Sequence, residues 1–213
     1  MVAHEYAHGY AALKQGDPTA YQLGRLTWNP LKHIDPFMTV ILPIITMWSG
    51  GFIFGGAKPV PVVPRNYRNF KRGDIIVSLA GIATNLALAL IFTLLVPLVG
   101  LLGNAIPALT LSLSIVQVMF LLGVNINLML AFFNLLPIPP LDGSHVMKYL
   151  LPPAWSLRYQ QLGMYGIFLL LILFATGMGN DLFRRWMWPA TSLFALAEGA
   201  VAPYLLPASW MGG

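Results

Sequence analysis

The chain of 213 residues contains no cysteine. Disulfides and thiolate metal sites are therefore excluded, and any metal must be held by His, Asp, Glu or backbone oxygen. Charge is scarce too: charged residues make up 9% of the chain and hydrophobic ones 57%, whereas a soluble domain carries about 25% charged residues. Such a chain cannot clothe itself in a water-facing surface, so it reads as an integral membrane protein. Neither a signal peptide, an internal repeat nor a domain-dividing linker is visible. The net charge is +5, but the basic residues sit in short stretches between apolar runs. That is the pattern of membrane-protein loops rather than of a nucleic-acid footprint. The expected partner is a lipid bilayer, not nucleic acid, and the sequence does not fix an oligomeric state.

The apolar runs set the expected architecture, an all-α polytopic transmembrane bundle forming one domain over residues 1–213. Residues 1–14 are compatible with a helix that ends before Gly16-Asp17-Pro18. Tyr21 to Trp28 alternates loosely and is expected to form a strand. Phe37 to Gly56, Ile75 to Gly103, Pro107 to Leu136, Gln161 to Met178 and Trp186 to Leu206 are apolar and span-length. Trp186, Trp188 and Trp210 stand near the ends of the last, where interfacial aromatics belong. Residues 57–73 are Pro-rich and basic, a surface loop or an extended edge. If residues 37–56 dip in and return, Lys14, Arg25, Lys32, Lys58, Arg65, Arg68, Lys71 and Arg72 all share one face, as the positive-inside bias favours. Gly50, Gly51, Gly55 and Gly56 would ease such a break. The expected bundle therefore includes a small re-entrant, extended β-like segment.

His4-Glu5-Tyr6-Ala7-His8 is an H-E-x-x-H pattern. On a helix, residues four apart share one face, so two imidazoles there can grip one Zn²⁺. Glu5, next to the first His, can reach a water on that metal and shuttle its proton. The alternative is a helix start whose polar residues merely face water or headgroups. With only four His in the chain, chance placement supplies the pattern rarely. One ligand is still wanting. His33, His145 and the acids are the candidates, and Asp142 stands out. It follows an apolar run in Asn134-Leu135-Leu136-Pro137-Ile138-Pro139-Pro140-Leu141-Asp142-Gly143. The prolines enforce extended backbone and Gly143 permits a tight turn, which can aim a carboxylate back at a helix. By itself an Asp-Gly after prolines also reads as an ordinary turn.

Taken together, HEYAH, the Gly81-Ile82-Ala83-Thr84-Asn85 run and NLLPIPPLDG resemble the site-2 protease family of intramembrane zinc metalloproteases, peptidase family M50. The likeness covers roughly residues 1–150, the expected catalytic core, with the C-terminal helices at 160–206 beyond it. HIDP and AKPVPV resemble the compact bacterial members, which lack PDZ and CBS modules. The resemblance implies that His4, His8 and Asp142 bind one zinc ion and that Glu5 is the catalytic acid/base. It implies that Asn134 and Asn85 line the substrate cleft, that the substrate is a membrane-anchored protein, and that the enzyme is a multi-pass protein of the cell membrane. Asn85 also reads as a helix–helix contact, as do Asn125 and Asn127. His145 reads as an interfacial histidine or as one that supports the site without ligating, and His33 as a loop residue.

The family's HExxH helix is a full span, whereas only Met1, Val2 and Ala3 precede His4. The N-terminal part of that helix is therefore expected to be missing. A helical substrate must unwind to be cut, and Pro59 to Pro64, Pro137 to Pro140 or the Tyr21–Trp28 segment could hold it by strand addition. Two other functions use the same features. A transporter or channel would use the Asn and Asp residues as a polar path, and an inactive scaffold would keep the fold alone.

Overall fold

The computed structural model describes residues 1–48, 55–166, 168, 170, 172 and 180–207. Among these the fold is all-α. The helices are α1 (Val2–Gln15), α2 (Thr19–Gln22), α3 (Leu42–Trp48), α4 (Phe70–Ala105), α5 (Thr110–Asn134), α6 (Asp142–Met147), α7 (Pro153–Gln161) and α8 (Asn180–Val201). A π-helical stretch, Pro36–Ile41, leads into α3, and short 3-10 turns join other elements. The expected span at 161–178 lies largely outside the described residues, as do residues 49–54. The chain divides into two compact units, Met1–Thr84 with Asn134–Arg185, and Asn85–Phe133 with Trp186–Gly213.

In the first unit, α1 ends where the sequence says it must. Gly16 takes a left-handed φ of 110° and its N–H bonds Leu13 O at 3.2 Å. That conformation suits a residue without Cβ. The strand expected at Tyr21–Trp28 is not formed; no strand occurs among the described residues. Thr19–Gln22 is a helical turn instead, and Gly24 at φ 62° bends the chain directly after it. The cause is Asp17. Its buried carboxylate accepts from Thr19 N at 3.2 Å and Thr19 Oγ1 at 2.5 Å, which starts a helix where alternation alone suggests a strand. It also accepts from Val63 N at 2.6 Å and Asn66 Nδ2 at 2.9 Å, tying the end of α1 to the Pro-rich segment. Burial would raise the Asp17 carboxyl, but these donors outweigh it and hold it below the usual carboxylate range. Ala12, Tyr67 and Val77 form a small core that brings α1, the segment before α4 and α4 itself together.

The two ends of the apolar stretch 37–56 meet. Gly56 N donates to Met38 O at 2.9 Å, Thr39 Oγ1 to Gly56 O at 2.7 Å, and Lys58 N to His33 O at 2.8 Å. The chain then runs without helix or strand through Pro59–Val63, and Arg25 Nη2 donates to Lys58 O and Pro59 O.

Apolar length shapes the second unit, which takes α4 from Asn85 onward and α5 up to Phe133. Helix α4 has 36 residues, beginning ahead of its expected start at Ile75, and the Pro107–Asn134 stretch has 28. Each exceeds the ~20 residues a bilayer requires. Only 22% of the most apolar window of each is buried, so neither is an ordinary soluble core helix. Leu111, Ile115, Met119, Leu122 and Ile126 form an exposed stripe along α5 at helical spacing. By contrast, α8 carries Asp181, Arg184 and Arg185 in its first turns and does not reach the apolarity of a span. One amide organises this unit's interior. Gln117 Nε2 donates to Val96 O and Tyr204 O, both at 2.9 Å, and Gln117 Oε1 accepts from Leu206 N at 2.9 Å.

Candidate metal centre

Helix α1 puts His4 and His8 one turn apart, with Nε2 atoms 3.0 Å apart. Asp142 Oδ2 lies 3.2 Å from His4 Nε2 and 3.3 Å from His8 Nε2. Three side chains drawn from sites over a hundred positions apart thus converge on a near-equilateral triangle. The turn that aims Asp142 is built as its sequence suggests. Leu141 N bonds Ile138 O at 2.9 Å, Leu141 is extended, and α6 opens at Asp142. Gly143 packs against the backbone carbonyls of Leu135 and Leu136, where any Cβ would collide. The prolines do exclude helix over 137–141, but Asp142 and Gly143 themselves begin one.

The donor set fits a zinc ion. Tetrahedral zinc with bonds of about 2.0–2.2 Å needs ligand atoms about 3.3–3.6 Å apart, within a few tenths of an ångström of the observed triangle. His8 Nδ1 bonds Val77 O at 2.7 Å. A carbonyl can only accept, so Nδ1 carries the proton and Nε2 offers a lone pair. That lone pair faces Asp142 Oδ2, itself buried and without a hydrogen-bond partner among the described residues. Acceptor against acceptor is unfavourable unless a cation lies between them.

Glu5 is held from the other side. Its Oε2 accepts from Val60 N at 2.8 Å, in the Pro-rich segment. A cavity of 270 Å³ opens on this cluster; besides the three triangle residues, its lining includes Glu5, Val60, Asp74, Asn134 and His145. Asn134, the last residue of α5, is therefore at the cavity wall. Asn85 is buried in the second unit and is not in this lining. His33, expected in a loop, is instead the buried last residue of the 3-10 turn Pro30–His33, and its Nε2 meets Thr27 O at 2.9 Å. Asn127 Nδ2 bonds Gly123 O within its own helix at 2.8 Å rather than another helix.

Several contributors escape the sequence reading. Val60 N and Val77 O are backbone atoms, and no residue type announces them. Gly81 presses α4 against both imidazoles: a Cβ there would stand 2.5 Å from His4 Cε1 and from His8 Nε2. Asp74 did carry a signal, since a lone acid at the mouth of an apolar helix is costly unless partnered.

Known proteins give the same picture. Residues 97–174 match peptidase family M50. The candidate zinc metalloprotease YwhC of Bacillus subtilis is 39% identical over 87% of this chain and 79% of its own length. The candidate zinc metalloprotease Rip2 of Mycolicibacterium smegmatis is 31% identical over 98% of this chain and 74% of its own. Methanocaldococcus jannaschii MJ0611, named in the same way, is 36% identical over 49% of this chain and 50% of its own. No solved structure matches. A chain that aligns with such proteins along nearly its whole length belongs to peptidase family M50, the site-2 protease family its motifs resemble.

Proposed function

We propose that the protein is a zinc-dependent endopeptidase that cuts membrane-anchored proteins within or beside the bilayer. One observation carries this reading: the triangle of His4 Nε2, His8 Nε2 and Asp142 Oδ2, with Glu5 at its side. His4, His8 and Asp142 hold the zinc. Bound there, zinc supplies the Lewis acidity that polarises a peptide carbonyl and acidifies water. Glu5 takes the proton of the attacking water on its carboxylate and returns it to the leaving amide nitrogen. Val60 N–H keeps that carboxylate from swinging away. Asn134 donates its amide to the scissile carbonyl as negative charge develops there. The Pro-rich run Pro59–Pro64 beside the cavity supports a docking edge for an unwound substrate; the Tyr21–Trp28 segment, which is not a strand, does not.

The protein sits in the cell membrane as a multi-pass protein. Two uncovered apolar helices support this. The meeting ends of residues 37–56 support a segment that returns to the face it left, because ends bonded to each other cannot lie across a bilayer. The basic residues flanking it then share one face, the cytoplasmic one.

The test is Glu5→Gln in the detergent-solubilised chain, with a membrane-anchored reporter protein as substrate. Zinc content stays at one ion per chain while kcat falls about 10²–10⁴-fold. Cleavage that survives the change removes Glu5 as acid/base. A wild-type chain that takes up no zinc removes the whole mechanism and leaves a transporter or scaffold.

A further inference from the structure

One face of α4 touches two of the proposed ligands and the residues that follow the third. Asp74, Val77, Ser78 and Gly81 are spaced i, i+3, i+4 and i+7, so they form a single stripe. At its far end Gly81 abuts both imidazole rings, and one turn earlier Val77 O takes the proton of His8 Nδ1. At its near end stands Asp74, whose side chain is 3% exposed. Its Oδ2 meets Lys148 Nζ at 2.6 Å and accepts from Tyr149 OH at 2.8 Å, and its Oδ1 lies 3.2 Å from His145 Nδ1. Each of these partners lies on, or directly after, the helix that begins with Asp142.

Helix α6 has six residues, too few to stand alone. Its orientation comes from what it is fastened to. Asp74 gathers its His145 and the two residues following it, Lys148 and Tyr149. We propose that Asp74 is a positioning residue: it sets α6 in register so that Asp142 meets the imidazoles that the same face of α4 already orients. The mechanism above uses none of Asp74, His145, Lys148 or Tyr149. The inference rests on the zinc reading and adds the device that assembles the third ligand.

The experiment measures zinc affinity by chelator competition and the visible spectrum of the cobalt-substituted full chain in detergent. Asp74→Asn weakens zinc binding about 10–100-fold, the range found when groups supporting metal ligands are removed, and alters the cobalt bands that report tetrahedral geometry. Because Asp74→Asn strands the Lys148 ammonium, the double variant Asp74→Asn/Lys148→Met removes both charges together, which buried ion pairs generally tolerate. It shows the same loss of affinity with metal-free thermal stability near that of wild type. Zinc affinity within twofold of wild type and an unchanged cobalt spectrum in the double variant overturn the proposal. So does a double variant that no longer folds without metal, since Asp74 then holds the fold rather than the ligand. If the wild-type chain itself binds no zinc, both readings fall together; if it binds and the variants match it, only the positioning role falls.

Discussion

The two units bury their polar groups in opposite ways. Gln117 in the second unit is complete: both amide hydrogens and its oxygen are engaged within the unit. Asp142 in the first is incomplete: its buried Oδ2 has no hydrogen-bond partner among the described residues and faces the His8 Nε2 lone pair at 3.3 Å. An amide satisfied by backbone is a fastener, since each bond it makes replaces one to water. A carboxylate left facing a ring lone pair is the proposed receptor for a cation, because the protein alone does not stabilise that arrangement. The same environment, apolar and poor in water, thus yields structure where donors balance acceptors and chemistry where they do not.

Substitutions can break this contrast from either side. The largest effect is expected for Asp142→Ala, which removes a ligand outright: zinc affinity falls more than about 100-fold and cleavage is lost, while thermal stability of the metal-free chain holds or rises as the acceptor clash is relieved. Chelator competition and melting of the apoprotein check both halves. Gln117→Leu should do the reverse, lowering stability by about 2 kcal/mol for the lost bonds and leaving zinc affinity unchanged. A zinc defect in that variant would end the distinction between fastener and receptor. Val60→Pro sharpens it within the site. The flanking Pro59 and Pro61 already restrict this stretch, so the change deletes chiefly the N–H that Glu5 binds. Expected is a roughly tenfold fall in kcat with KM and zinc content unaltered, whereas Val60→Ala keeps the amide and the rate.

The smallest effect concerns Asp17, whose charge is satisfied by donors rather than by a cation. Its folded-state pKa is depressed, so its contribution is fully present above the unfolded carboxylate value of about 3.9 and fades as pH falls towards the folded one. Asp17→Asn should lower stability at neutral pH and flatten the acid limb of the stability curve. A limb as steep as that of wild type would show that Asp17 is not the group being titrated.

What could be read beforehand divides along a physical line. HEYAH and the Asp142 turn were legible because side-chain identity and proline rigidity act locally, and the two long apolar helices because hydropathy needs no partner. The Tyr21–Trp28 misreading has the opposite origin: one buried carboxylate, with donors at Val63 and Asn66, decides the backbone there. The α4 stripe was invisible for a similar reason. Val77 acts through its carbonyl and Gly81 through having no side chain, so neither carries a chemical label. Asp74 acquires its meaning only once α6 is brought against it. The bond from Gly56 N to Met38 O is likewise a backbone contact that no residue type announces.

The closeness of α4 to the two rings has a consequence for sequence variation. A residue that touches neither metal nor substrate, and has no functional group, is nonetheless among the least replaceable positions of that helix. A saturation library at codon 81, selected for cleavage, should return glycine alone, while the neighbouring codon 82 accepts a range of aliphatic residues. Tolerance at this centre follows the space between backbone and imidazole, not distance from the reaction.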